Sequence, residues 1–394
     1  MKRSARGWAT LTVVVAAAVS AATLTVAPAA SASVGDPSKA VAADGAKVTA
    51  ETVIDARTVD LTVSSPALGG SGMVRLILPK SWNSKPTWSF PTVYLLHGPD
   101  VQDYKAWTYY TKVEEYAQDS DVIVAMPTGG ASAIYTDEYD SWGKVRPKWE
   151  TFHTVELPQI LAGGYRANGK ASIAGISSGG FGALSYAARH PQMFSAVGAY
   201  SAMTDLFDPA GALAVLKNRI AAGQSLDPFG PLLVGVANKL QRNPQTLVAR
   251  YRGQRLYVSS GGGLPGPLDK TDPNYHDQVG GRVIEGVTSA MDQRFASTAK
   301  LFGARVTTHF YPGGLHYWTY WDRELGLSWS FLTTPLGAPT DTAPSGPSSG
   351  PNGSSSSSPS SSTSSTPSAT PAPAGRPAPK KTGLLGGLFG GLFG

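Results

Sequence analysis

The chain has 394 residues, with 33 Lys and Arg against 27 Asp and Glu, and no cysteine. The missing cysteines exclude disulfides, thiol nucleophiles and thiolate metal sites, so stability has to come from an apolar core. Lys2, Arg3, Arg6, Arg376, Lys380 and Lys381 lie in the two ends, which leaves the middle close to neutral and without the basic footprint of a nucleic-acid binder.

Residues 1–32 have the three parts of a secretory signal. Lys2, Arg3 and Arg6 form the basic start, Leu11 to Val26 the apolar run, and Ala30-Ser31-Ala32 the small-residue cleavage site. The run is short and broken by Ser and Thr, which favours cleaved export over a membrane anchor and a secreted or cell-envelope location.

Residues 33–337 are predicted to form one α/β domain. An antiparallel start near 51–79 contains the strand Met73–Leu78. Apolar runs at Thr92–Leu96 and Val122–Met126 follow as strands, then a helix over Glu156–Ala162 and a buried strand over Lys170–Ala174. Gly175-Ile176-Ser177-Ser178-Gly179 comes directly after that strand. Phe181–Arg189 then reads as a small-residue helix stopped by His190-Pro191. Residues 203–250 lack strand patterns and read as a helical excursion over the site. Leu256–Val258 and Val306–Phe310 are strands, with a helix over Arg282–Leu301 between them. Near-continuous apolar strands alternating with helices predict a mostly parallel central sheet covered on both faces, the α/β-hydrolase architecture.

In that setting G-x-S-x-G is a nucleophile elbow, a strand-to-helix turn from which Ser177 projects, with the backbone N–H of Ser178 available to an oxyanion. A serine needs a base, and the base needs an orienting carboxylate, in the chain order Ser, acid, His. Among the late histidines, His309 falls inside a strand and His276 in a polar loop. His316 follows the last strand through Pro312-Gly313-Gly314-Leu315, a loop able to aim an imidazole at the elbow. For the acid, Asp269, Asp272, Glu285 and Asp292 all fit the order, and pattern alone does not choose Glu285. No His/Asp/Glu cluster has metal-ligand spacing, so neither a metal nor an organic cofactor is expected.

From residue 338 to 382 the composition collapses to Ser, Thr, Pro, Ala and Gly, which predicts a disordered linker. Residues 383–394, GLLGGLFGGLFG, form a Gly/Leu/Phe tip. As a helix it would span roughly 18 Å, too short for a hydrocarbon core of about 30 Å. Two readings of the tip stand: contact with cell-envelope lipid, or a disordered tail with no partner.

Several separated motifs over roughly residues 50–335 resemble the antigen 85 family of mycolyltransferases and diacylglycerol acyltransferases, within the wider esterase D group. Tyr94-Leu95-Leu96-His97-Gly98 followed by Gln102-Asp103-Tyr104 and Trp107 is similar to the family's YLLDG…QDDY..W. Lys148–Phe152 and Glu156–Gln159 match KWETF..ELPQ, and Gly175-Ile176-Ser177 matches GLS. Ile284–Thr288 matches LEGLT, and His316–Trp321 matches HSWEYW. The resemblance implies a triad of Ser177, Glu285 and His316, and substrate contacts at Asp205, Arg294 and Trp318.

Departures from the family concentrate in one loop. The residue that would supply the second oxyanion N–H is Pro99, which has none, so Gly98 or Asp100 has to donate, with Asp100 the expected donor. His97 and Asp100 replace an aspartate and an arginine that contact trehalose in the family, which puts His97 among the expected substrate residues and reverses the charge at 100. The implied function is a secreted serine acyltransferase, moving a long-chain acyl group from an ester or glycolipid donor to a sugar or lipid hydroxyl. The alternatives are a secreted carboxylesterase with the same triad and a non-catalytic envelope-binding protein on the same fold.

Overall fold

A computed structural model describes residues 34–99, 102–140, 143–269 and 279–341. The signal at 1–32, the tip at 383–394, most of the linker, and Asp100, Asp272 and His276 lie outside the described residues.

The strands are β1 Lys47–Val53, β2 Thr58–Ser65, β3 Gly70–Ile77, β4 Trp88–Leu96, β5 Ile123–Pro127, β6 Ala167–Ile176, β7 Phe194–Tyr200, β8 Arg255–Leu264, β9 Arg305–Gly313 and the short β10 Thr340–Asp341. They form one sheet in the order β1-β2-β3-β5-β4-β6-β7-β8-β9, with β10 paired to β4. The first three strands and the β3–β5 pair are antiparallel; from β5 through β9 every pair is parallel. β10 runs antiparallel to the start of β4, Thr340 opposite Ser89.

Period-two alternation explains why the central strands read as continuous apolar runs. Tyr94 and Leu96 of β4 and Ile123 and Ala125 of β5 enter one core. Their neighbours Val93, Leu95, Val124 and Met126 enter another on the opposite face. The first core is closed by α4 (Leu157–Gly164), α5 (Ser178–Arg189) and α8 (Val279–Leu301), through residues such as Leu161, Phe181, Leu184 and Phe295. The second is closed by α1 (Ala106–Tyr110), α2 (Val113–Tyr116) and α9 (Trp318–Thr333), through Trp107, Val113, Trp321, Leu325 and Trp329. The short α3 (Trp149–Thr151) runs through a π-helical turn at Phe152–Glu156 into α4.

The excursion between β7 and β8 carries α6 (Pro209–Ala221) and α7 (Leu232–Leu240). Asp208 caps α6 by accepting the Ala210 N–H at 3.0 Å, with Pro209 in the first turn where its missing N–H costs nothing. Arg219 of α6 is the segment's internal anchor. Its guanidinium makes two parallel bonds to Glu138, at 2.5 and 2.7 Å, with both side chains almost fully buried. The outer faces of these helices are apolar, with Leu213, Ile220 and Leu232 exposed at 58%, 58% and 90%. Among the described residues no helix is long and apolar enough to cross a membrane.

Candidate active site

Ser177 stands between the end of β6 and the first residue of α5, with φ +51° and ψ −121°. That left-handed conformation in a residue with a Cβ is the strained turn expected of an elbow. Three backbone hydrogen bonds over-determine it: Ser177 N–H to Tyr200 O at 3.0 Å, and Phe181 and Met203 N–H to Ser177 O at 3.1 and 3.2 Å. The elbow also needs a small residue at 179, because a Cβ there would lie 2.4 Å from the Leu96 carbonyl oxygen. Ser178 opens α5, so its N–H belongs to the helix start, where backbone donors point away from the helix and the dipole favours negative charge.

Glu285 lies inside α8 and is completely buried, not a solvated helix-start residue. Its Oε1 accepts the Gly261 N–H at 2.6 Å and the Ser201 hydroxyl at 2.8 Å. Its Oε2 stands 2.9 Å from His316 Nδ1. Carboxylate and imidazole are thus joined at the nitrogen that leaves Nε2 for a serine. The His316 ring sits edge-on against Trp321, with centroids 4.9 Å apart. Trp321 Nε1–H in turn donates to Ser201 Oγ at 3.0 Å. One hydrogen-bonded path therefore links the elbow, Tyr200-Ser201, Glu285 and His316.

Among the described residues, the competing acids and histidines have other partners. Asp269 accepts the Tyr320 hydroxyl at 2.6 Å and the Gly266 N–H at 2.7 Å, fastening a loop. His309 Nδ1 lies 2.8 Å from Glu324 Oε2. Asp292 accepts the Ala202 N–H at 3.0 Å.

The loop beside the elbow requires a correction. His97, expected at the substrate, is 1% exposed. Its Nδ1 is 2.5 Å from Gly98 O and its Nε2 2.6 Å from Asp103 Oδ1 and 2.9 Å from Gly129 N. Both ring nitrogens are engaged with protein, so His97 fastens two loops from beneath. Asp103 is the partner that sequence reasoning missed, although it lay within a quoted motif. Burial works to raise its pKa, but the hydrogen bond and charge of His97, with Thr128 and the Gly129 N–H, outweigh it and hold the carboxyl below its ordinary value. Gly98 runs against the elbow serine, since a Cβ built on it would be 3.4 Å from Ser177 Cβ. Pro99 is exposed, and Asp100, the expected second donor, lies outside the described residues.

Asp205 and Arg294 come together, though as an ion pair. Arg294 Nη2 lies 3.3 Å from Asp205 and 3.2 Å from Asp208, tying the start of the excursion to α8. Asp205 also accepts from Asn243 at 2.9 Å. Trp318 is found among other rings. It belongs to the aromatic core, edge-on to Trp107 and Trp321 at 5.4 and 5.2 Å and stacked on Tyr110 at 5.0 Å. Among the described residues no group of three or more His, Cys, Asp or Glu side chains could hold a metal.

Comparison with known proteins gives the family and the fold. Residues 65–327 match the family model described as putative esterase. The diacylglycerol acyltransferase/mycolyltransferase Ag85A of Mycobacterium ulcerans is 32% identical over 264 residues, covering 64% of this chain and 76% of the relative. The corresponding Ag85B of Mycolicibacterium smegmatis is 32% identical over 260 residues, covering 62% and 77%. Among solved structures, Mycobacterium tuberculosis MPT51 superposes with a TM-score of 0.54 at 21% identity, covering 70% of this chain and 98% of that one. An S-formylglutathione hydrolase from Agrobacterium tumefaciens gives 0.56 at 15% identity, covering 74% and 99%. These two share the fold. With an elbow serine, a buried carboxylate on a histidine and a family model spanning most of the domain, the chain belongs to the esterase family of α/β-hydrolases and has the Ag85 mycolyltransferases among its relatives.

Proposed function

We propose that the protein is an exported serine acyltransferase of the mycolyltransferase type. Ser177 is the nucleophile, His316 the base and Glu285 the orienting acid. The observation that carries the reading is the Glu285–His316 contact at 2.9 Å, with the other carboxylate oxygen held by two donors. In the first half-reaction His316 Nε2 takes the Ser177 proton while Oγ bonds to the acyl carbonyl carbon. The Ser178 N–H, with a second donor at Asp100, receives the developing oxyanion. The C–O bond to the leaving alcohol breaks, and His316 returns the proton to it. In the second half a sugar or lipid hydroxyl repeats the sequence on the acyl-serine. Glu285 stays ionised throughout and supports the imidazolium.

A long-chain acyl ester or glycolipid donor is supported by the names of the relatives and by the apolar outer faces of α6 and α7. Export through residues 1–32 and lipid contact through residues 383–394 belong to the same proposal; deleting 383–394 should then lower the cell-bound fraction.

A carboxylesterase reading draws on a different observation. His97 and Pro99 occupy the acceptor loop, and the inward-facing His97 offers nothing to a sugar. Product partitioning decides between the two. The mature protein and Ser177→Ala are incubated with a labelled long-chain acyl ester, with and without trehalose or a diacylglycerol. Ser177-dependent acylated acceptor supports transfer. Free acid alone, at a rate indifferent to acceptor, makes the protein an esterase.

A further inference from the structure

Asp292 is fully buried on α8, about two turns beyond Glu285 and on the same face of the helix. Its Oδ2 accepts the N–H of Ala202 at 3.0 Å. Oδ1 has no partner of good hydrogen-bond geometry among the described residues, with the Ser260 hydroxyl of β8 beside the group. Ala202 follows Ser201, whose φ is +45°. A residue with a Cβ is strained in that conformation and keeps it only where its surroundings impose it. Here they do so from both sides: the Ser201 N–H is held by Ser259 O at 2.7 Å, and the next N–H by Asp292. The product of this turn is the Ser201 hydroxyl delivered to Glu285 Oε1 at 2.8 Å.

We infer that Asp292 is a positioning residue for the triad: by holding the Ala202 N–H it fixes Ser201, and through Ser201 the carboxylate that orients His316. The inference rests on the reading of Ser177, Glu285 and His316 as the catalytic set. Burial, reinforced by the charge of Glu285, raises the Asp292 pKa well above the ordinary carboxylate value. Oδ2 acts towards Ala202 only as an acceptor, and asparagine can replace the group without losing that accepting oxygen.

The test is a double-mutant cycle on the full chain, read by p-nitrophenyl butyrate hydrolysis and by the low-field NMR resonance of the His316 Nδ1 proton. Asp292→Asn should keep kcat within about threefold of wild type. Asp292→Ala and Ser201→Ala should each lower kcat about ten- to a hundredfold with KM little changed, the worth of one hydrogen bond to a charged group. Both should displace the His316 resonance in the same direction. In the Ser201→Ala background, Asp292→Ala should cost less than about a further twofold. Should Asp292→Ala not fold, Asp292→Ser, too short to reach Ala202, is read in its place. Additive losses with an unmoved His316 resonance would overturn the inference, as would Asp292→Asn behaving like the alanine variant. Absence of Ser177-dependent turnover in the wild type would instead sink the triad reading; the resonance, measured on the resting protein, still decides whether Asp292 acts on the Glu285–His316 pair.

Discussion

Replacing Glu285 by glutamine keeps the shape of the side chain and changes one thing at His316. Two donors, the Gly261 N–H and the Ser201 hydroxyl, converge on Oε1, so the amide oxygen of the glutamine must take that position. The NH₂ group is then forced to the place of Oε2, 2.9 Å from His316 Nδ1. A donor there requires Nδ1 to accept, which moves the imidazole proton to Nε2, the nitrogen that receives the proton of Ser177 in the proposed mechanism. The wrong tautomer and the loss of support for the imidazolium should together lower kcat by roughly 10³–10⁴-fold. That is about 4–5.5 kcal/mol of transition-state stabilisation. KM for a p-nitrophenyl ester should change little, because Glu285 is fully buried and does not meet the acyl group. The assay is steady-state ester hydrolysis beside Ser177→Ala as the floor, with circular dichroism to confirm folding. A folded Glu285→Gln variant within tenfold of wild type would refute this account of the acid.

Further outcomes follow from burial and close approach. Arg219→Met leaves Glu138 as an uncompensated charge in the interior and should cost about 3–5 kcal/mol in urea unfolding, whereas Arg219→Met with Glu138→Leu should recover most of it; equal losses in both would contradict the argument. Gly179→Ala drives a methyl group to 2.4 Å from the Leu96 carbonyl oxygen and should destabilise the fold by about 3 kcal/mol, seen as a lowered urea midpoint. His153 is fully buried, and that burial pushes its pKa down to about 4, below an unfolded value near 6.5. The unfolded chain therefore binds the extra proton first. This contribution to stability is complete above about pH 6.5 and is lost as pH falls towards 4, by up to about 3 kcal/mol. Urea midpoints at pH 4.5 and 7.5 should show the loss, and His153→Gln should flatten it; an unchanged slope in the variant would assign the acid sensitivity to other groups.

What could be read from the sequence follows from where each signal resides. β4, β5 and β6 were legible because both faces of their inner stretches are buried, so Val93–Leu96, Ile123–Met126 and Ile173-Ala174 read as apolar runs. β7 was not, since Ala196, Gly198 and Ala199 dilute the run; the cause is close packing, a Cβ at Gly198 falling 2.8 Å from that of Ala174. The elbow is local, five residues in one turn, and pattern reached Ser177 and His316 unaided. Glu285 is different. Its identity depends on Gly261, Ser201 and His316, which come from β8, the end of β7 and the loop after β9, and no local spacing reports that convergence. Only resemblance singled it out. At His97 and Trp318 resemblance gives a position but not which way the side chain faces: His97 turns both ring nitrogens to protein and Trp318 packs on Trp107 and Trp321. The near-complete match at Lys148–Gln159 turns out to be scaffold: Glu150 holds Arg189 at 2.7 Å and His190 at 2.8 Å, and Glu156 accepts from Ala67.

The excursion that carries α6 and α7 contributes none of the three residues Ser177, Glu285 and His316. They come from the β6–α5 turn, α8 and the β9–α9 loop, while residues 203–250 leave the sheet after β7 and return to it at β8. Asp205 and Asp208 clasp Arg294 at the near end, and the Arg219–Glu138 pair secures the segment further out. A segment joined in this way is exchangeable. Its length can change without moving the β6–α5 turn, α8 or the β9–α9 loop, which carry Ser177, Glu285 and His316. If the triad acts as proposed, a change between hydrolase and transferase can be sought in this segment while the three residues keep their places.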